Sequence, residues 1–210
     1  MEKKVIITIA RGFGSGGKVI AQAVADELGI PCYENRILTY ASQLSGEDES
    51  LFVEADERLQ GSYISNFFRK LPRLMSPISV ENGFTSNDRL FEYQKQIIEN
   101  LANTESCVIV GKCADYILKD YDNCISFYIN ASTEYCIKRI VNRMGVSNED
   151  AGRLIAKTDK YRADYYRYYS GGREWNDLTN YDMALNSERI GHDRCIEVMK
   201  DYILHNSMVS

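Results

Sequence analysis

The sequence predicts an α/β fold with three layers, α/β/α, in which a parallel five-stranded sheet lies between helices. Short β-branched runs alternate with helical patterns along the chain, which is typical of a parallel sheet with right-handed crossovers. The length of 210 residues suits one α/β domain with a small insertion. A hydrophobic content of 44% and a charged content of 26% are those of an ordinary soluble globule.

The first strand and helix have the clearest patterns. Residues 5–9 form a β-branched run of the kind that is buried on both faces of a parallel sheet. Apolar residues then follow helical spacing over 18–28, and Gly29 is placed to end that helix. Residues 30–33 predict a short second strand.

The later elements continue the alternation. The predicted elements are helices at 35–44, 87–101, 114–118, 133–143, 148–168 and 193–205, and strands at 107–111, 124–129 and 181–186. The helix at 148–168 opens with the capping-box pattern Ser147-x-x-Asp150. Residues 46–57 are acidic, and prolines, serines and asparagines are frequent in 61–86. We interpret 46–86 as an insertion within a single domain of residues 1–210.

The turn between the first strand and helix has the composition of a phosphate-binding loop. Residues 12–18 read GFGSGGK, and four of these seven residues are glycines, which lets successive N–H groups turn toward an anion. The helix N-terminus adds partial positive charge at the same place. The segment matches the first seven positions of G-x-x-x-x-G-K-[ST]. Val19 stands at the eighth position, where a hydroxyl would bind Mg²⁺.

Charge excludes one class of partner. A net charge of −5 and a pI near 5.2 argue against a general nucleic-acid binder, whose affinity rests on excess Lys and Arg. The stretch 132–173 nevertheless holds nine basic and five acidic residues. Taken alone, this local surplus is typical of a solvated helical face.

The cysteines and histidines disfavour a structural metal site. The six cysteines include no C-x-x-C pair, and there are only two histidines, so structural zinc is not expected. Buried free thiols in a reducing compartment are the simplest account. No run approaches the roughly twenty apolar residues of a membrane span, and the first residues lack a secretory signal. We expect a cytoplasmic protein, with His192 and His205 structural or solvent-facing.

Several polar segments fall at the carboxyl ends of predicted strands. These segments are 11–18, 34–36, 112–115 and 186–189. Ligands of parallel α/β sheets bind beyond the carboxyl ends of the strands. The four segments are therefore predicted to converge on one site.

In this order and spacing, the chain resembles the cytidylate-kinase-like family of P-loop nucleoside monophosphate kinases. The segments that carry the resemblance are ITIARGFGSGGKVIA, ELGIPCYENRIL, CVIVGKCADYIL, RIVNRMGVSNEDAGRLIAKTDKYRADYYRYYSG and YDMALNS, and together they cover nearly the full length. The resemblance implies a P-loop NTPase-type fold. It also implies a kinase that transfers the γ-phosphate of ATP to a nucleoside monophosphate, CMP or dCMP first, with ATP and Mg²⁺ as cofactors.

The resemblance assigns roles on the donor side. The residues implied to bind the cofactor are Arg11, Gly12, Gly14, Ser15, Gly16, Gly17, Lys18 and Val19. Lys18 would hold the β- and γ-phosphates, and arginines of a helical lid at 132–173 would surround the transferring phosphoryl group. The lid candidates are Arg139, Arg143 and Arg162. The alternative is that these arginines are surface cations, paired to Glu149, Asp150 or Asp164.

On the acceptor side, Lys112 resembles the position where these kinases place an arginine on the acceptor phosphate. Lysine offers a point charge there without the bidentate fork of arginine. Arg36 is either a second acceptor contact or an exposed cation, and Asp115 and Asp159 complete the implied substrate-binding set. Ser15 and Asp115 are the candidate Mg²⁺ ligands.

Two other functions stay open. The insertion at 46–86 would form the acceptor pocket, and its sequence does not exclude a small-molecule acceptor other than a nucleotide. Val19, Lys112 and Asn35, the last at a position where the family pattern has an aspartate, also fit a catalytically degenerate nucleotide-binding regulator. The expected partner is a nucleotide or other small molecule, without nucleic acid or membrane, and a homodimer is one candidate assembly.

Overall fold

The computed structural model describes residues 4–34, residue 37 and residues 86–209. The chain divides into two compact units, Met1–Glu34 with Glu99–Ser210, and Asn35–Ile98. Arg36 and almost all of the predicted helix at 35–44 and insertion at 46–86 lie outside the described residues. The prediction of one domain with an insertion stays a prediction.

Five parallel strands form one sheet in the order β2-β3-β1-β4-β5. The strands are β1 (Ile6–Arg11), β2 (Cys32–Tyr33), β3 (Cys107–Val110), β4 (Cys124–Asn130) and β5 (Met183–Asn186). The predicted α/β fold with a five-stranded parallel sheet is confirmed. Because β1 is central, the turn that follows it lies between the ends of β3 and β4.

Helices occupy the connections between the described strands, and the short helix at 187–190 was not predicted. They are α1 (Gly17–Leu28), α2 (Ser86–Thr104), α3 (Ala114–Ile117), α4 (Thr133–Met144), α5 (Asn148–Tyr169), α6 (Ser187–Ile190) and α7 (His192–Val209). The Ser147 hydroxyl accepts the Asp150 N–H at 3.1 Å, so the predicted cap of α5 is present. The last strand begins at Met183 rather than at 181; Asp182, just before it, donates its backbone N–H to Ser126 O at 2.9 Å and accepts the Ser126 N–H on its carboxylate at 2.7 Å.

Both faces of the sheet are covered. Helices α1 and α7 pack together on one face, where side chains such as Ile9, Phe127 and Met199 are buried. On the other face α3 packs against β1 and β4, and the Tyr128 ring contacts the rings of Trp175 and Tyr181 at centroid distances of 5.6 and 5.1 Å. Because the helices cover the two faces, the carboxyl ends of the strands lead into the connecting loops, where the predicted site lies.

All six cysteines are free thiols, and four of them are buried, as the sequence predicted. Burial raises the pKa of Cys107 and of Cys124 to about 12, so both thiols are protonated at neutral pH. Among the described helices, none is long and apolar enough to cross a membrane.

Candidate active site

The glycine-rich turn between β1 and α1 is built to bind an anion. Gly14 has a φ of 88°, and Gly16 takes the same value as the N-cap of α1. Within the described ranges, the backbone N–H groups of Gly14, Gly16, Lys18 and Val19 have no hydrogen-bond acceptor. Donors left open at a helix N-terminus favour a negatively charged ligand.

Side chains from the second half of the chain bind the carbonyl oxygens of this loop. Arg139 Nε donates to Gly14 O at 3.0 Å, and Ser187 Oγ donates to Ser15 O at 2.6 Å. Arg162 Nη1 donates to Arg11 O at 3.1 Å. Because these donors hold the carbonyls from outside, the loop is fixed in the conformation that leaves its amides open.

Ser15 is part of the loop's internal structure. Its side chain is fully buried, and its hydroxyl donates to Gly12 O at 2.8 Å and accepts the Gly17 N–H at 3.3 Å. Val19 lies on the surface and is 54% exposed. The prediction that Ser15 binds Mg²⁺ stays a prediction, and this geometry gives it no support.

Gly14 touches helix α4 so closely that a side chain would not fit. A Cβ atom built on Gly14 would lie 2.8 Å from Cys136 Cβ and 3.1 Å from both Cys136 Cα and Cys136 O. Two of these atoms belong to the backbone of α4 and the Cβ atom is bonded directly to it, so none of them can move aside cheaply. The loop and α4 are thus in direct backbone contact.

We predict that Gly14→Ala lowers the free energy of unfolding by about 3 kcal/mol, the sum of the left-handed backbone and the steric overlap. Gly29→Ala is the matched control, because its φ is 67° but its Cβ would meet nothing within 4 Å. That control should lose only about 1 kcal/mol. Urea denaturation of both variants measures the difference, and equal losses would contradict the packing argument.

The two cations of the loop share one carboxylate. Arg11 Nη2 lies 3.1 Å from Glu34 Oε1, and Lys18 Nζ forms an ion pair with Glu34 Oε2. Burial by itself raises the pKa of Glu34, but the charges of Arg11, Lys18 and Lys112 outweigh it and lower the pKa overall. The sequence analysis placed Glu34 at the carboxyl end of the second strand but assigned it no role. Its position directly after a strand was the feature from which a role in the site could have been inferred.

Helix α5 docks on the opposite side of the loop. Asp159 Oδ1 accepts the Phe13 N–H at 2.8 Å and lies 3.2 Å from Arg162 Nη1. The Arg162 guanidinium lies over the Phe13 ring, 5.6 Å from its centroid. Burial raises the pKa of Asp159, which the charge of Arg162 only partly offsets. Two predicted site residues are therefore bound to the phosphate loop itself.

The predicted lid arginines differ in position. Arg139 and Arg162 contact the loop, whereas Arg143, one turn beyond Arg139 on α4, is exposed. The acidic residues offered as alternative partners bind other cations. Glu149 and Asp150 pair with Arg153, and Asp164 pairs with Lys160.

Lys112 lies in a strained turn directly after β3. Gly111, Lys112 and Cys113 have φ values of 74°, 60° and 55°, so two residues other than glycine adopt left-handed backbone. Such conformations cost about 1 kcal/mol or more each and concentrate at functional sites. Lys112 follows β3 closely, so its backbone lies at the carboxyl end of the sheet, and its positive charge helps to lower the pKa of Glu34.

Asp115 faces helix α5. Its carboxylate accepts the Tyr166 hydroxyl at 2.7 Å, and burial raises its pKa to about 6. No group of three or more His, Cys, Asp or Glu side chains in the described part of the chain is arranged to hold a metal ion. The predictions of Asp115 as a substrate or Mg²⁺ ligand stay predictions that its contacts do not support.

The raised pKa of Asp115 gives a testable pH dependence. The folded state binds this proton more tightly than the unfolded state, whose carboxyl titrates near 3.8, so stability falls as the pH rises from about 4 to about 6. Since Asp115 keeps some solvent exposure, we expect Asp115→Asn to gain about 2 kcal/mol on the wild type across that window. Urea denaturation at pH 4 to 7 tests this. Asp120→Asn, an exposed neighbour, should leave the profile unchanged, and a parallel Asp115→Asn profile would contradict the prediction.

His192 packs on the loop, which makes it structural rather than solvent-facing. A Cβ atom at Gly16 would lie 2.3 Å from His192 Nε2, and this nitrogen is buried with no hydrogen-bond partner among the described residues. Burial and the nearby charge of Arg139 lower the pKa of the imidazole. A neutral ring therefore supports the outer side of the loop.

A central strand leading through a glycine loop into a helix, with lysine and arginine converging on the loop, defines a P-loop phosphotransferase of the kinase class. The chain matches the model of the Cytidylate kinase-like family over residues 6–189 and belongs to that family. Both the fold class and the family resemblance drawn from the sequence are confirmed.

Relatives align along almost the whole chain. The cytidylate kinase of Pyrobaculum aerophilum is 26% identical over 200 residues, covering 94% of this chain and 92% of the relative. The cytidylate kinase of Pyrococcus horikoshii is 24% identical over 204 residues, with 96% and 90% coverage.

Solved structures agree on the fold. An uncharacterized protein from Eubacterium ventriosum superposes with a TM-score of 0.70 at 26% identity, covering 95% of this chain and 98% of the other. A shikimate kinase from Bacteroides thetaiotaomicron reaches a TM-score of 0.54 at 13% identity, with the same coverage. At that identity the second likeness concerns the fold alone.

Proposed function

We propose that this protein transfers the γ-phosphate of ATP to a nucleoside monophosphate, with CMP or dCMP as the preferred acceptor. The observation that carries the proposal is the loop after β1, where four open amides, Lys18 and Arg11 meet. The family supports a nucleotide acceptor, because its relatives of matching length are cytidylate kinases.

On the donor side, the loop amides and Lys18 hold the β- and γ-phosphates, and Arg11 lies beside them. Phosphoryl transfer has a loose transition state with charge spread over the equatorial oxygens, so positive charge and positioning supply most of the catalysis. Arg139 and Arg162 already contact the loop and are the first candidates for stabilising that charge. Arg143 is a third candidate from the same lid.

On the acceptor side, Lys112 holds the phosphate of the monophosphate. The strained backbone at Lys112 fixes the start of this side chain beside the loop cations. An ionised phosphate oxygen is already a nucleophile, so the reaction needs no strong base from the protein. Arg36, the other acceptor candidate, lies outside the described residues.

Among the described residues, the groups predicted to bind Mg²⁺ are either replaced or already hydrogen-bonded to other groups. Val19 replaces the usual hydroxyl, the Ser15 hydroxyl is bound within the loop, and the Asp115 carboxylate is bound to Tyr166. These residues do not fit a metal held directly by the protein. The ion would instead arrive on the ATP phosphates, where it neutralises charge.

A coupled assay of ADP release tests the function. Purified protein with ATP is offered CMP, dCMP, UMP, AMP and GMP, together with shikimate and gluconate as acceptors other than nucleotides. The proposal expects ADP release that depends on CMP or dCMP.

The outcomes separate the alternatives. Turnover with a non-nucleotide acceptor alone would contradict the nucleotide assignment. Binding of ATP without ADP release for any acceptor would identify a nucleotide-binding regulator. Absence of any affinity for ATP or ADP by calorimetry would overturn the proposal as a whole.

A further inference from the structure

The carboxylate of Glu34 occupies both cations that the proposed function assigns to the donor phosphates. Its Oε1 lies 3.1 Å from Arg11 Nη2, and its Oε2 pairs with Lys18 Nζ. The Glu34 and Arg11 side chains are only 17% and 16% exposed. Glu34 thus bridges the two cations as a partly buried carboxylate, with one oxygen on each.

The ammonium group of Lys18 cannot form a full-strength ion pair with a bound phosphate and with Glu34 at the same time. A ligand on the loop amides brings negative charge to the place where Lys18 begins α1, next to the carboxylate. Two like charges in a poorly solvated site repel each other strongly. The Lys18 side chain is 62% exposed, so its end of the ion pair is the more accessible to a ligand.

We propose that Glu34 is an internal counter-anion of the phosphate loop, which the donor phosphate replaces on Lys18 and Arg11. The inference rests on the proposed function and deepens it, because Glu34 then sets the affinity of the loop for polyphosphates. Every ligand that uses the loop must separate the same ion pairs. All such ligands are therefore weakened by a similar factor, whatever base they carry.

Glu34→Gln tests this exchange, because it keeps the shape of the side chain and removes its charge. Calorimetric titrations with ADP, ATP and inorganic tripolyphosphate are made at constant ionic strength in EDTA, with adenosine as a ligand that lacks phosphate. We expect the three phosphate ligands to bind about tenfold more tightly to Glu34→Gln than to the wild type. Adenosine should show no change.

Glu105→Gln is the matched control. Glu105 lies just before the amino end of β3, the end away from the loop, and its carboxylate accepts the Tyr33 hydroxyl at 2.7 Å. The substitution removes the same charge from the chain without touching the loop cations, so the phosphate affinities should stay as in the wild type. Equal tightening in both variants would show a general charge effect and overturn the inference.

A second variant protects the test against misfolding. Glu34→Asp retains the charge but shortens the side chain by one methylene group, so it cannot reach both cations equally well. It should bind the phosphate ligands with an affinity between those of the wild type and Glu34→Gln. Thermal unfolding of each variant verifies that it is folded.

Three further results would overturn the exchange. Wild-type affinity or weaker binding of phosphates by folded Glu34→Gln would show that Glu34 does not compete. Weakening seen only when Mg²⁺ is added would make Glu34 a metal ligand instead. Both of these results leave the proposed function standing, whereas a wild-type protein that binds none of the three phosphates removes the function and the exchange together.

Discussion

Replacing Lys18 with alanine is expected to lower kcat/KM for ATP by about 10⁴-fold, equivalent to about 5 kcal/mol of transition-state stabilisation. Lys18 Nζ extends from the first turn of α1 beside the open loop amides, and its only described ion pair is with Glu34. Without this ammonium group, the negative charge of the transferring phosphoryl group in the transition state is less well neutralised. Initial rates of ADP release over a range of ATP concentrations measure the effect.

Lys200→Ala is the matched control for the Lys18 variant. Lys200 lies on α7 and pairs with Glu27, so it removes one lysine charge from the same unit without touching the loop. Its kinetic constants should equal those of the wild type. A Lys18 variant that kept more than about one tenth of wild-type kcat/KM would contradict the assignment of the loop to a polyphosphate.

Replacing Arg162 with alanine is expected to lower kcat by about 10³-fold, equivalent to about 4 kcal/mol of barrier, with a much smaller change in the Kd of ATP. Arg162 binds the carbonyl of Arg11 and the carboxylate of Asp159 at once. Its loss removes a cation beside the phosphates and leaves Asp159 uncompensated next to the Phe13 amide. Single-turnover kinetics together with calorimetry of ATP binding separate the two effects.

Two variants sharpen the test of Arg162. Arg162→Lys keeps the charge but not the planar fork, so it should recover only part of the lost kcat. Arg153→Ala removes an exposed arginine of the same helix, paired to Glu149 and Asp150, and should leave kcat unchanged. Equal losses in kcat and in ATP affinity for Arg162→Ala would mean that the residue acts on binding and not on the transition state.

The local parts of the site followed from sequence because they depend on neighbours along the chain. The β-branched run, the glycines and the helical spacing after Lys18 together predict the strand, the loop and the helix that the structure contains. The Ser147 cap of α5 is another local signal, since donor and acceptor are three residues apart.

The sequence predicted that 11–18 and 186–189 converge, but the particular contacts that hold the loop could not be predicted in this way. The Phe13 N–H meets Asp159 across 146 residues of sequence, and Ser187 reaches Ser15 across 172. Such pairs depend on how α5 and α6 approach the end of the sheet, which no local pattern specifies.

The pair Arg139 and Arg143 shows the same limit on one helix. A spacing of four residues places both on one face, but it also separates them by about 6 Å along the axis. Arg139 binds Gly14 O of the loop, whereas the Arg143 side chain is exposed. The shared face of the two arginines could be derived from the sequence. Which of them contacts the loop could be seen only in the structure.

The bond between the Phe13 amide and Asp159 offers a way to observe how α5, part of the predicted lid, separates from the loop. The donor belongs to the loop and the acceptor to α5, so exchange of this amide proton requires the bond between the two to open. The rate of hydrogen–deuterium exchange at the Phe13 amide therefore reports how often the contact between the loop and α5 opens, and it needs no probe attached to the protein.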